Sequence, residues 1–372
     1  WQGVHRAVPS DEEAHSVLRR LYVKVGKWHA MVDLLKQSLG THSSDDVEGQ
    51  IAILIEMVGI YRDKLKAGPK VVEAYKSIIK LEPANLEAMN ALVVEYEKMQ
   101  RWPDLVKILQ QKVGVETDIP SRIELLQRIA AIMQERFNNA TEAIASYRAI
   151  LKLEPEHRGA IGLLKELYES RRQWEQYVEI SQHELSLSGD EEAKDAAYLE
   201  LAKLASERIR KPNIPIELWE RVRQSHPEHP DALEALEPLY EREKSFDKLA
   251  DVLEKRVEKT QEAAERVAML EKLGLVYTSR LMDASAATAV WRKVLEVDPK
   301  HLKAQAELKK KYLAEKDWEN LEWYFRTYAT PFEWVRTLET QAKSAYGSQK
   351  LDLLFKAAAV WNDELGETRR AV

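Results

Sequence analysis

Cysteine is absent from the 372-residue chain. That excludes disulfides and thiolate metal sites, and it fits a reducing compartment without requiring one. No run of about 18 consecutive apolar residues occurs, so no helical membrane span is expected. No signal segment is visible at the N-terminus. Glycine and proline number only 13 each, too few for a loop-rich or disordered chain. Blocks of like charge are missing, and mixed charges suit solvated helix faces. The net charge of −6 and pI near 6.0 lack the basic stripe of a nucleic-acid scaffold, so no nucleic-acid partner is expected. There is also no glycine-rich phosphate loop, no Gly-x-Ser-x-Gly string and no His-Glu-x2-His string. No nucleophile stands beside a base. The expectation is a chain that is not an enzyme and holds no cofactor or metal.

What the sequence does contain is one skeleton, repeated. Prolines 83, 155, 227 and 299 are each 72 residues apart. Tyr75, Tyr147, Trp219 and Trp291 precede them by eight; Ala88, Ala160, Ala232 and Ala304 follow by five. Leu92, Leu164, Leu236 and Leu308 keep the same step, as do Tyr96, Tyr168, Tyr240 and Tyr312, and then Trp102, Trp174, Phe246 and Trp318. A further copy, with a 74-residue step, runs Trp1, Pro9, Ala14, Leu18, Tyr22, Trp28. Six tracks in one period mark tandem repeats. Length then sets no domain count, because each unit packs only on its neighbours.

Each unit reads as four helices. Over 156–227 they span about 159–170, 173–187, 191–209 and 215–224, each with one apolar stripe. Helices this short are marginal alone, so they must stack as hairpins. The third-and-fourth pair resembles the tetratricopeptide repeat. In Leu270, Leu273, Gly274, Tyr277, then Ala287, Trp291 and Pro299, the chain follows that repeat's pattern, with Leu where Trp is usual. The small slot recurs as Ala130 and Ala202, with Val58 departing; Val71 and Pro215 depart at the alanine slot, where looser or shifted contacts are expected. The other hairpin is divergent and holds Val93, Lys165, Glu237 and Lys309 where a small residue belongs. The resemblance implies an all-α, right-handed solenoid of stacked antiparallel hairpins, a tetratricopeptide-like superhelix.

The expected organisation is a single array over 1–372, in units of about 10–83, 84–155, 156–227, 228–299 and 300–372, excerpted from a longer chain. Nine hairpins are expected up to residue 328. An irregular stretch carrying a 12-residue insertion within 326–349 follows, then one helix near 350–365 with Leu354 and Ala358 on the repeat tracks.

Candidate sites follow from what does not repeat. Trp323, Tyr324, Tyr328, Phe332 and Trp334 form the most aromatic stretch of the chain, and either cover the stack or present a partner surface. Glu97, Glu166, Glu169, Glu234 and Glu241 would line the groove and give it acidic character, on an assumed superhelical hand. His157, His229 and His301 sit in phase at an N-cap position and need no metal. The Lys and Asn pair with which some tetratricopeptide domains clamp a peptide C-terminus is not matched. The expected function is a non-enzymatic protein-interaction scaffold binding a peptide or protein, basic in character, along the groove, with self-association compatible. Two alternatives stand beside it: a half-tetratricopeptide RNA-processing scaffold, and a structural spacer in a large envelope or motility assembly. The compartment is open, a cytoplasmic one being slightly favoured.

Overall fold

The computed structural model describes residues 12–43 and 45–371; Trp1 and Pro9, the first members of the N-terminal copy, lie outside them. Two compact units, Trp1–Ser188 and Gly189–Val372, make up the chain. Among the described residues every regular element is a helix.

In the first unit α1 (Glu12–Val25) pairs with α2 (Trp28–Thr41), α3 (Val47–Gly59) with α4 (Gly68–Leu81), and α5 (Leu86–Lys98) with α6 (Trp102–Val115). Next come α7 (Ile119–Glu135) with α8 (Ala140–Leu153), and α9 (Arg158–Ser170) with α10 (Trp174–Ser186). The second unit pairs α11 (Glu191–Arg208) with α12 (Asn213–Ser225), α13 (Pro230–Glu243) with α14 (Phe246–Lys259), and α15 (Ala263–Val276) with α16 (Ala284–Val297). Then α17 (Leu302–Glu315) pairs with α18 (Trp318–Tyr328), and α19 (Pro331–Ser344) with α20 (Gly347–Asp363), before the short α21 (Thr368–Ala371). Both α3 and α15 run on into a wide π turn, Ile60–Lys64 and Tyr277–Leu281.

The repeated tracks are the core. Leu92, Leu164, Leu236 and Leu308 are buried, as are Tyr96, Tyr168, Tyr240 and Tyr312. The prolines end the helices, and the residue two places on starts the next. Asn85, His157 and His301 each accept the backbone N–H three residues ahead, at 2.8, 3.0 and 3.2 Å, which satisfies one of the N–H groups a helix start leaves unpaired. His229 departs from this: Pro230 follows it, its side chain makes no cap bond, and its Nδ1 is buried without a partner. Val58, Val71 and Pro215 are all buried.

The divergent hairpins carry charge where the others need a small residue, and helix α10 or α14 answers it. Lys165 Nζ of α9 reaches Glu184 of α10 at 2.6 Å. One period later the same two positions hold the reversed pair, Glu237 of α13 with Arg256 of α14. Val93 is simply buried, and Lys309 lies 4.9 Å from the Phe325 ring centre.

The C-terminal register differs from expectation. Residues 331–344 are a regular helix, and the twelve-residue insertion does not exist. Leu338 and Ala342 are buried and take the slots of Leu270 and Gly274 at a step of 68 rather than 72. Ala357 and Trp361, also buried, take those of Ala287 and Trp291 at a step of 70. Leu354 is 41 % exposed and is not on a core track; nor is its neighbour Ala358. The cause is α18, 11 residues long where α14 has 14. Losing about one helical turn keeps the same stripe facing inward. A tenth hairpin, α19 with α20, therefore completes the series.

A second period was invisible in the residue types. Gln100, Arg172, Lys244 and Lys316 all have left-handed backbone, φ 53°, 55°, 64° and 57°, at 72-residue steps just after a first helix. Such a residue costs roughly 1 kcal/mol or more relative to glycine. Arg172→Gly is accordingly expected to raise stability by up to about 1 kcal/mol, read as a higher urea midpoint with unchanged m-value; an unchanged or lower midpoint would refute this.

Candidate interaction surfaces

The aromatic stretch near the C-terminus is divided between α18 and α19, which belong to successive hairpins. Trp334 is 1 % exposed and stacks on Phe325, ring centres 5.1 Å apart. Tyr324 is 5 % exposed and meets Phe325 edge-on. These two are interior, which corrects their candidacy as surface anchors: Tyr324 takes the buried slot of Ile108, Ile180 and Val252 at the regular 72-residue step, and Trp334 of α19 stacks on Phe325 of α18. Tyr328 is half-buried. Trp323 and Phe332 reach solvent, 38 % and 43 % exposed, and each carries a cation: Arg292 over Trp323 and Arg336 over Phe332.

The predicted groove carboxylates also separate into two kinds. Glu97 of α5 is bridged to Arg128 of α7, and Glu241 of α13 to Lys272 of α15 at 2.8 Å. First helices of successive hairpins are thus tied by ion pairs, as Glu271 of α15 is to Lys303 of α17 at 2.9 Å. Lys303 holds the Glu271 carboxyl below its ordinary range despite partial burial. Glu166, Glu169 and Glu234 remain exposed. Those three have no ion pair among the described residues, whereas Glu97 and Glu241 are paired with Arg128 and Lys272.

The recurrent tyrosine creates a surface that sequence reasoning missed. In the first unit a cavity of about 510 Å³ opens between α8, α9 and α10, over Leu164 and Tyr168. Another of about 250 Å³ opens over Leu92 and Tyr96. The two are the same site one period apart: Arg148 answers to Lys76, Lys152 to Lys80, Glu179 to Lys107 and His183 to Gln111. In the second unit the side chains at the equivalent positions bond to one another. The Tyr240 hydroxyl donates to Glu220 at 2.9 Å, Lys248 also donates to Glu220, and Arg223 and Lys255 both bind Asp251. Burial and the Glu220 bond push the Tyr240 hydroxyl strongly up. Burial favours neutral Glu220, but the bonds from Lys248 and Tyr240 outweigh it and lower its pKa. At Tyr312 the hydroxyl accepts from Arg292 at 2.7 Å, and that guanidinium continues to Asn320.

Only the signal of in-phase variation could have found these slots: the core tracks stay constant while position 148 and its equivalents read Lys, Arg, Glu, Arg. Among the described residues no three His, Asp or Glu side chains gather in a way that could hold a metal; the ring centres of His226 and His229 lie 6.4 Å apart. No helix among those residues is long and apolar enough to cross a membrane.

No family model matches the chain and no curated protein matches it. Among solved structures it is similar to a tetratricopeptide repeat protein from Parabacteroides merdae ATCC 43184, at 17% identity over 70% of this chain and 97% of that one, TM-score 0.27. It is similar to YrrB, described as a TPR protein with an unusual peptide-binding site, at 14% identity over 51% of this chain and 96% of that one, TM-score 0.26. A third similarity is to Naa15/Naa10 bound to HypK-THB, at 16% identity over 100% of this chain and 63% of that one, TM-score 0.26. On its own geometry, with Gly274 pressed against Trp291 and Leu and Tyr tracks buried at one period, the chain is an all-α array of antiparallel hairpins that resembles the tetratricopeptide repeat in architecture.

Proposed function

We infer that the chain is a non-enzymatic scaffold that binds a partner peptide or protein along the face formed by the first helices of its hairpins. One observation carries this. The buried leucine and tyrosine tracks hold one residue type from Leu92 to Leu308 and from Tyr96 to Tyr312, while the slots beside them change completely. Val94, Glu166, Pro238 and Lys310 occupy one such slot and are all exposed; Asn90, Gly162, Glu234 and Ala306 occupy another. A constant support carrying a varied surface suits recognition spread over several repeats, each contributing modestly. The unbridged Glu166 and Glu169 give the α9 part of this face a preference for basic segments.

Continuity of the array across 188–189 belongs to the same reading. Charge reversal at α9 tests it. Proteins retained by the wild-type chain are identified, purified and titrated against Glu166→Lys/Glu169→Lys by calorimetry. Circular dichroism should be unchanged and affinity about ten-fold weaker, as expected for two rim charges. Equal affinity of both chains for every retained protein would sink the assignment of this face.

A further inference from the structure

We propose that the paired cavities over Tyr96 and Tyr168 in the first unit are a receptor for an acidic peptide segment, each seating a carboxylate on an aliphatic floor. The proposal rests on the scaffold reading and adds a second surface, on the side of the second helices α4, α6, α8 and α10. It names a partner chemistry opposite to that of the α9 face.

The charge balance comes first. Arg148 and Lys152 stand at the larger cavity with one carboxylate, Glu179. Glu179 contacts Arg148 at 3.3 Å and leaves Lys152 exposed with no ion pair among the described residues. At the smaller cavity Lys76, Lys80 and Lys107 face Asp104, and Asp104 is already engaged by Arg101 at 2.5 Å. Each cavity therefore keeps uncompensated positive charge, and in each an apolar floor lies below, Leu151, Leu164 and Ile180 in one, Ile79, Leu92 and Ile108 in the other. A cation rim over an aliphatic floor matches a carboxylate with an adjoining hydrocarbon stem.

The hydroxyl of Tyr168 supplies the second, independent observation. Tyr168 is 3 % exposed, and its hydroxyl is buried without a hydrogen-bond partner. Arg148 stacks over the ring, 5.9 Å from its centre, and turns its guanidinium to Glu179. Leaving a buried hydroxyl unpaired is costly, and the two slots of the second unit show the fold can avoid it: Glu220 satisfies Tyr240 and Arg292 satisfies Tyr312. In both, the partner is the residue at the position of Arg148. Tyr168 lines the cavity, and burial raises its hydroxyl's pKa although the neighbouring Arg148 guanidinium acts to lower it. The hydroxyl is a donor in want of an acceptor, beside a free lysine. A carboxylate satisfies both.

The test uses the full chain and a synthetic acetylated, amidated peptide of alternating glutamate and leucine, with glutamine in place of glutamate as its control. Titration calorimetry at low salt should show binding of the glutamate peptide and about ten-fold weaker binding or none for the glutamine peptide. Leaving the C-terminus free rather than amidated separates a terminal carboxylate from side-chain carboxylates; a phosphoserine peptide that binds better than the glutamate one would overturn the choice of carboxylate. Lys152→Gln and Lys80→Gln, both at exposed positions, should each weaken binding about ten-fold. Tyr168→Phe should leave unfolding unchanged or slightly raise stability, since it removes an unpaired hydroxyl, yet weaken the peptide several-fold; Tyr240→Phe should not affect binding. Unchanged affinity in both Lys152→Gln and Tyr168→Phe overturns the proposal. So does an equal loss in Lys343→Ala/Lys350→Ala, which would mark diffuse charge attraction. These outcomes are separate from the α9 reversal, which probes a different face with a basic partner.

Discussion

Trp291→Ala is expected to lower the unfolding free energy by about 3–5 kcal/mol, the range for emptying a large aromatic site in a packed core. Trp291 is 2 % exposed. It lies on α16 and packs across Gly274 of α15: a Cβ built on Gly274 would come 2.7 Å from its ring. Its indole N–H donates to Thr278 at 3.2 Å, so the polar end of the ring is satisfied and the whole side chain can be interior. The loss should appear in denaturant unfolding and as lost amide protection in α15 and α16, with the first unit little affected, because stacked repeats contact only neighbours. The pair also predicts a coupling. Gly274→Ala gains about 1 kcal/mol of helix propensity but forces a methyl into the indole, which costs about 1–3 kcal/mol as overpacking. In the Trp291→Ala background that clash is gone and the substitution should become stabilising. Additive effects in the double-mutant cycle would show that the contact does not govern this hairpin.

Trp334→Ala carries a similar expectation, about 3–5 kcal/mol, and contrasts with Phe332→Ser two residues away. Trp334 is enclosed, stacked on Phe325 and packed within the α19–α20 hairpin. Phe332 keeps 43 % exposure and contacts Trp361 at its edge, so its replacement should cost about 1 kcal/mol. Thermal unfolding of both variants, followed with circular dichroism, checks this. Equal destabilisation would mean that the aromatic stretch acts as one core; a harmless Trp334→Ala would return that residue to the surface.

The hairpin series was legible because burial repeats: a side chain that must fill the same interhelical space at every step is held to one size class. Helix starts were legible in part because Asn85, His157 and His301 recur where a side chain must accept an unpaired N–H of the next helix. The register near the C-terminus was not. Leu354 kept an apolar identity while losing its place inside, because removal of one turn from α18 shifts numbering without rotating the apolar stripe. Tyr324 and Trp334 looked non-repeating, so they read as surface candidates; Tyr324 is buried because its slot, held earlier by Ile108, Ile180 and Val252, faces inward in every unit, and Trp334 because it stacks on Phe325. Ion pairs such as Lys165 with Glu184 and Glu237 with Arg256 join positions 19 apart whose charges are reversed between units, and a search for repeated residue types passes over them.

Read alone, the chain determined its period, its all-α class and the residues that pack every hairpin, since periodic burial leaves a periodic trace in residue type. The tertiary structure decided which variable residues are spent on one another. Glu241 and Glu220 are bridged by neighbours, whereas Glu166, Lys152 and the Tyr168 hydroxyl are left facing outward or into a cavity. That choice depends on which side chains meet across adjacent helices, a matter of distance between positions some 20 to 30 residues apart that no local pattern encodes.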